Sequence, residues 1–109
     1  MGVYLGALIT CPANKAQEIA TLIIEERLGA CVNVIERVHS IYRWQGKVVR
    51  DEESLLIVKT SAERFDELIK RVKEVHPYTV PEIIAFPLVG GNLDYLNWID
   101  ECVARQSSA

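Results

Sequence analysis

The sequence has few cysteines, no excess of basic residues and no long apolar run. Its 109 residues include three cysteines, Cys11, Cys31 and Cys102, and no two of them form a C-x-x-C pair, so a disulfide framework is not indicated. The 12 basic and 15 acidic residues leave a net charge of −3, which provides no basic surface for nucleic acid. No apolar run approaches the ~20 residues that a membrane span needs. We therefore expect neither a nucleic-acid partner nor a membrane partner.

The sequence also lacks the common catalytic motifs. It has no G-x-S-x-G, no P-loop and no G-x-G-x-x-G. A nucleophilic pair of Cys11 and His76 is conceivable, but no third residue is evident that would orient the imidazole. A copper chaperone of small α+β fold would carry two cysteines around its first loop, and the segment CPAN at residues 11–14 has one. We expect that the protein is not an enzyme.

Hydrophobic residues make up half of the chain and are spread along nearly its whole length. A chain of this size buries enough surface for a core of its own, so we predict a single domain over residues 1–109. The first eleven residues have no positively charged start and no usual cleavage site of a signal peptide, which favours a cytoplasmic location.

Hydrophobic periodicity predicts the order of the secondary-structure elements. Strand-like runs lie at residues 3–10, 31–44, 48–60 and 82–86, and helical spacing covers residues 15–28 and 62–75, with a last helix around Leu96, Ile99 and Val103. The order strand-helix-strand, strand-helix-strand is typical of the ferredoxin-like α+β sandwich. We therefore predict the fold class α+β, a ferredoxin-like βαββαβ sandwich with a long central hairpin and an extra C-terminal helix.

The hairpin at residues 31–60 is longer than such a sandwich can cover. Its strands of about 13 residues compare with a usual length of about five or six. Their outer parts would expose apolar side chains in a monomer, and exposed strands of this kind pair with other chains. We therefore expect an oligomer, with a hairpin that bends over its own sheet as the alternative. The apolar residues concerned are Val38, Ile41, Tyr42, Trp44, Val48 and Val49.

The predicted topology brings three ligand-type residues to one edge of the sheet. Cys11 ends the first strand, His76 ends the second helix and Glu82 begins the last strand, which neighbours the first. A thiolate, an imidazole and a carboxylate together suit a borderline or soft divalent ion such as copper or zinc. The alternative is that His76 caps a helix end and Glu82 is a solvated strand residue. We interpret the acidic cluster at residues 51–53 as a solvated segment of the hairpin.

A set of short segments is spread over nearly the whole chain. They are EERLGACVN at residues 25–33, SIYRWQG at 40–46, IVKT at 57–60, HPY at 76–78, PEIIAFP at 81–87, and the residues Gly91, Asn92, Tyr95, Leu96 and Trp98. These segments, in this order, resemble the CutA family, the divalent-cation tolerance family. The resemblance implies a ferredoxin-like protomer in a homotrimer that is joined through the long hairpins. It also implies no established catalytic activity and the binding of copper or other divalent ions.

The resemblance also implies which residues bind metal, and it points to the same edge of the sheet. The family's attributed ligands match Cys11, His76 and Glu82 in this sequence. We therefore predict a trimeric protein that binds divalent metal, with copper as the first candidate and zinc or another divalent cation after it, and that takes part in metal response or tolerance. The alternative function is a trimeric signalling module that senses a small metabolite in clefts between its subunits.

Overall fold

The computed structural model describes residues 3–105 and contains one four-stranded antiparallel sheet. The ends of the predicted domain, at residues 1 and 109, lie outside this range. The strands are β1 (Tyr4–Cys11), β2 (Cys31–Trp44), β3 (Lys47–Ser61) and β4 (Ile83–Pro87). Their order across the sheet is β2-β3-β1-β4, so β1 lies between β3 and β4. This topology confirms the predicted ferredoxin-like arrangement.

Three helices connect and extend this sheet: α1 (Ala16–Glu25), α2 (Ala62–Val75) and α3 (Leu93–Val103). Helix α2 has the predicted limits and ends at Val75, because His76 precedes a proline and is driven out of the helical region. Helix α1 is shorter than predicted. It ends at Glu25, and Arg27 then takes a left-handed φ of 58° while the Leu28 amide donates to the Ile23 carbonyl. No helix within residues 3–105 is long and apolar enough to cross a membrane.

The main core lies between the sheet and helices α1 and α2. Alternation along β1 sends Ala7, Ile9 and Cys11 into this core, where all three are fully buried. A second, smaller cluster holds α3 against the start of β1 and contains Tyr4, Ala30, Ile99 and Val103. Successive side chains of a strand point to opposite faces, so Tyr4 points away from the face that carries Ala7 and Ile9. The second cluster therefore lies on the face of the sheet opposite to the main core. The other residues of this core come from α1, α2 and the neighbouring strand β3, and include Ile19, Ile23, Leu56, Val58, Leu68 and Val72.

Strands β2 and β3 form the predicted long hairpin, of 14 and 15 residues. Its turn at Gln45 and Gly46 has positive φ at both positions, 49° and 79°, as tight hairpin turns require. The register shifts between Ile35 and Val38, so the strand does not keep one alternation along its length. The extra residue of this bulge lies opposite Ser54, whose hydroxyl donates to the Glu36 carbonyl at 2.8 Å.

Apolar side chains remain exposed on the outer hairpin and on the open face of the sheet. Ile41, Trp44 and Val48 are 64%, 48% and 55% exposed, as expected for an unpartnered hairpin, whereas Val38 and Val49 are half-buried. On the open face, Ile84 and Phe86 of β4 are also exposed. The exposed residues therefore continue from the hairpin arms onto the sheet.

Candidate functional site

The end of β1 gathers the predicted ligand residues around Thr10. The Thr10 carbonyl accepts a hydrogen bond from His76 Nε2 at 2.8 Å, and the Thr10 hydroxyl lies 3.4 Å from Glu82 Oε1. Cys11 is the next residue along the strand. The edge of the sheet predicted from topology is therefore present, with a strand end, a helix end and a strand start meeting at one place.

Both ring nitrogens of His76 already have partners. The backbone N–H of Tyr78 donates to Nδ1 at 3.1 Å. Because Nδ1 accepts, Nε2 carries the proton and donates it to the Thr10 carbonyl. The residue is 8% exposed, and its ring centroid is 4.7 Å from that of Tyr78. His76 must exchange one of these two bonds before it can bind a metal ion.

The thiol of Cys11 faces the core rather than solvent. The residue is fully buried, and this burial, together with the charge of Glu53, raises the pKa of the thiol from 9.0 to about 11. A thiol in this environment is protonated at neutral pH, and metal binding requires the thiolate. Cys11 lies at the same edge of the sheet as His76 and Glu82, but its thiol is buried and protonated and is therefore not ready to bind a metal ion.

Glu82 lies just before β4 and is exposed to solvent. Within residues 3–105, no group of three or more His, Cys, Asp or Glu side chains is arranged to hold a metal ion. The donor types at this edge suit a divalent ion, but their present arrangement does not form a coordination site. An ion at this place requires Cys11 to lose its proton and His76 to change partners.

The acidic cluster of the hairpin contains a residue that the sequence interpretation missed. Glu53 is 6% exposed rather than solvated. Its Oε2 accepts from the Ser40 hydroxyl at 2.5 Å and its Oε1 from the Tyr78 hydroxyl at 2.8 Å. Within the described part of the chain, no lysine, arginine or histidine forms a salt bridge with it. Asp51 and Glu52 are exposed, as expected for this segment.

Tyr78 connects the hairpin to the His76 edge. Its hydroxyl binds Glu53 and its backbone N–H binds His76. Burial, followed by the hydrogen bond to Glu53, raises the pKa of the Tyr78 phenol well above its usual value of 10.0. On the outer hairpin, the Tyr42 hydroxyl donates a hydrogen bond to Asp51, and this bond raises the pKa of the Tyr42 phenol. No signal in the sequence identifies Glu53 as buried. Its partner on β2 is Val38, which follows the register shift, and this shift becomes visible only in the strand pairing.

The sheet order and the helices that cover it define a ferredoxin-like α+β protein with thiol, imidazole and carboxylate groups at one edge. Residues 6–102 match the family described as CutA1 divalent ion tolerance protein. The chain belongs to this family, whose name supports a role in the tolerance of divalent metal ions.

Curated relatives and solved structures agree with this assignment. The chain is 55% identical to the divalent-cation tolerance protein CutA of Thermus thermophilus over 95 residues, which are 86% of this chain and 92% of that protein. It is 46% identical to human protein CutA over 109 residues, which are 99% of this chain and 61% of the longer human protein.

Solved structures show the same fold. The structure of Cut A1 from Thermus thermophilus superposes with a TM-score of 0.90 at 51% identity and covers 93% of this chain and 99% of that one. CutA1 from Oryza sativa gives a TM-score of 0.91 at 43% identity, with 97% of each chain covered.

Proposed function

We propose that this protein is a homotrimer that binds divalent metal ions, copper before zinc, in the cellular response to metal. A cytoplasmic location and a non-enzymatic role are part of the proposal. The observation that carries it is the meeting of His76, Glu82 and the Cys11 strand end around Thr10, in a chain of the divalent ion tolerance family.

The exposed apolar surface supports self-association. The open face of the sheet carries Ile35, Ile84 and Phe86 at 42%, 45% and 57% exposure. It continues into the outer hairpin, where Ile41 and Trp44 are also exposed. A contiguous apolar surface of this kind marks an interaction site. Strands β2 and β4 are the two edges of the sheet, so two different edges are available for pairing between copies. Pairing of unlike edges is heterologous, and with a rotation of about 120° between copies it closes into a trimeric ring.

The metal site would form by exchange of existing bonds. His76 would release the Tyr78 amide or the Thr10 carbonyl. The Cys11 thiol would lose its proton to solvent as the ion binds. Glu82 is already exposed and is free to turn from its 3.4 Å contact with Thr10. Because the thiol has a raised pKa, affinity should increase with pH through the neutral and mildly alkaline range.

Isothermal titration of the metal-free protein with Zn²⁺ and Cu²⁺ tests the site. The variants are Cys11→Ser, His76→Ala and Glu82→Gln, and Glu74→Gln on the exposed surface of α2 is the matched control. Removal of a true ligand should weaken binding by about tenfold or more, while the control retains the wild-type affinity. Copper should bind more tightly than zinc at the same ligands. Unchanged affinity in all three variants would place the ion elsewhere.

A further inference from the structure

Tyr78 joins the His76 edge to the base of the hairpin through two hydrogen bonds, which we call the Tyr78 bridge. Its backbone N–H donates to His76 Nδ1 at 3.1 Å, and its hydroxyl donates to Glu53 Oε1 at 2.8 Å. His76 Nε2 is bonded to the Thr10 carbonyl of β1, and Glu53 Oε2 accepts from the Ser40 hydroxyl of β2. The Tyr78 bridge therefore connects the end of β1 with β3 and β2.

The Tyr78 bridge also lies between the two edges of the sheet. Ser40 belongs to β2, which is one edge, and Tyr78 belongs to the segment that leads from α2 into β4, the other edge. Glu53 shares a face of β3 with Leu55, whose partner on β2 is the exposed Ile35. The buried carboxylate is therefore on the open face of the sheet, which is the face proposed for self-association.

The protonation of His76 determines which of its hydrogen bonds a ligand breaks. Nε2 donates its proton to the Thr10 carbonyl, so the free electron pair of the imidazole is on Nδ1. A metal ion that binds this tautomer takes Nδ1 and displaces the Tyr78 N–H. Residues 77–80 are exposed and form neither helix nor strand, so this segment can shift when the bond is broken.

A shift of Tyr78 removes a donor from a buried charge. Glu53 is 6% exposed, and the Ser40 hydroxyl would be its remaining donor. Within residues 3–105 no cationic side chain forms a salt bridge with it. In the single chain, water can replace the lost hydroxyl. A second copy that covers this face excludes the water, and a buried charge without a partner is costly. Release of Tyr78 therefore costs more in the assembly than in the single chain.

We propose that a ligand on His76 weakens the association of the copies, because it breaks the Tyr78 bridge. The inference rests on the proposed metal site and the proposed assembly, and it adds a regulatory link between them. The state with the bridge intact associates strongly, and the state with a ligand on Nδ1 associates weakly. Such coupling is reciprocal, so assembly must weaken ligand binding by the same factor.

Subunit exchange between unlabelled and isotope-labelled protein, followed by native mass spectrometry, measures the dissociation rate of the assembly. Without metal, Tyr78→Phe should accelerate exchange by about tenfold, because it removes the hydroxyl from Glu53 and retains His76. Ser40→Ala removes the other donor and should also accelerate exchange. Tyr95→Phe is the control, with a similarly exposed side chain outside the bridge, and should exchange at the wild-type rate.

Zn²⁺ is the ligand that tests the coupling. It should accelerate exchange of the wild type by about tenfold but that of Tyr78→Phe by less than about twofold, because the bridge is already broken in the variant. In calorimetric titration, Zn²⁺ should bind Tyr78→Phe more tightly than the wild type, as reciprocity requires.

Two results would overturn the proposal while the metal site and the assembly stand. One is exchange of Tyr78→Phe at the control rate, and the other is Zn²⁺ binding that leaves the exchange of the wild type unchanged or accelerates both proteins equally. If Zn²⁺ binds neither protein, the link is overturned together with the proposed metal site. The titration therefore separates the two failures.

Discussion

Replacement of Tyr78 by phenylalanine tests the link between the hairpin and the His76 edge. The change removes one hydroxyl donor from the buried Glu53 carboxylate and retains the ring that packs on His76. A hydrogen bond to a charged group contributes about 1.5–3 kcal/mol. Tyr78 is 36% exposed, so water can replace part of the lost bond. We expect Tyr78→Phe to lower the free energy of unfolding by about 1–2 kcal/mol.

A double-mutant cycle with Glu53→Gln separates the hydrogen bond from other effects of the substitution. In the Glu53→Gln background the same hydroxyl would bind a neutral amide, so Tyr78→Phe should cost only about 0.5–1 kcal/mol. The resulting coupling energy should be about 1 kcal/mol, with the two residues stabilising each other. Urea unfolding at pH 7 measures all four proteins, at one protein concentration because self-association adds to apparent stability.

Tyr95→Phe is the matched control for this cycle. Tyr95 is 40% exposed, close to the exposure of Tyr78, and its hydroxyl has the Cys31 thiol, and no carboxylate, as its partner among the described residues. The control should change the free energy of unfolding by less than about 0.5 kcal/mol. If Tyr78→Phe behaves like the control, or if the coupling energy is zero, then the Tyr78 hydroxyl does not stabilise Glu53.

Two further predictions concern assembly and pH. Light scattering should give three times the chain mass of 12.3 kDa. Trp44 is 48% exposed in the single chain, and the proposed trimer would bury it. Trp44→Ala should therefore lower the melting temperature of the assembly, because truncation of a buried aromatic costs about 3–5 kcal/mol. A stable monomer, or an unchanged melting temperature, would contradict this role of Trp44. The pKa of Cys11 rises from 9.0 to about 11 on folding, so wild type should lose about 2–3 kcal/mol relative to Cys11→Ala as pH increases from 9 through 11. A pH-independent difference between these two proteins in urea unfolding would refute the burial of the thiol.

The fold could be predicted from the sequence because local patterns and global topology agree. Helix α2 shows this most clearly, since Phe65, Leu68 and Val72 recur at helical spacing and Pro77 ends the helix where it does in the structure. The end of α1 was harder to predict. The structure stops it with the left-handed conformation of Arg27, which is uncommon for a residue other than glycine.

The candidate site could be predicted only at the level of topology. Strand order brings Cys11, His76 and Glu82 to one edge, and the contacts of Thr10 with His76 and Glu82 agree with this. The chemical state of each group depends on tertiary contacts. The sequence does not reveal that the Cys11 thiol faces the core or that both His76 nitrogens are bonded. Glu53 was misjudged for the same reason, since an acidic run in a hairpin is usually solvated.

A continuous set of hydrogen bonds joins the sheet edge to the hairpin. It runs from the Thr10 carbonyl through His76 to the Tyr78 amide, and then from the Tyr78 hydroxyl through Glu53 to Ser40 of β2. His76 has no spare nitrogen, so any ligand that it binds must displace a member of this set. If the displaced member is the Tyr78 amide, Tyr78 can shift and its hydroxyl loses its position beside Glu53. The hairpin is also the surface proposed for assembly. Occupation of the edge and the geometry of the hairpin base are therefore linked through Tyr78, and the Tyr78→Phe variant should weaken that link while leaving His76 in place.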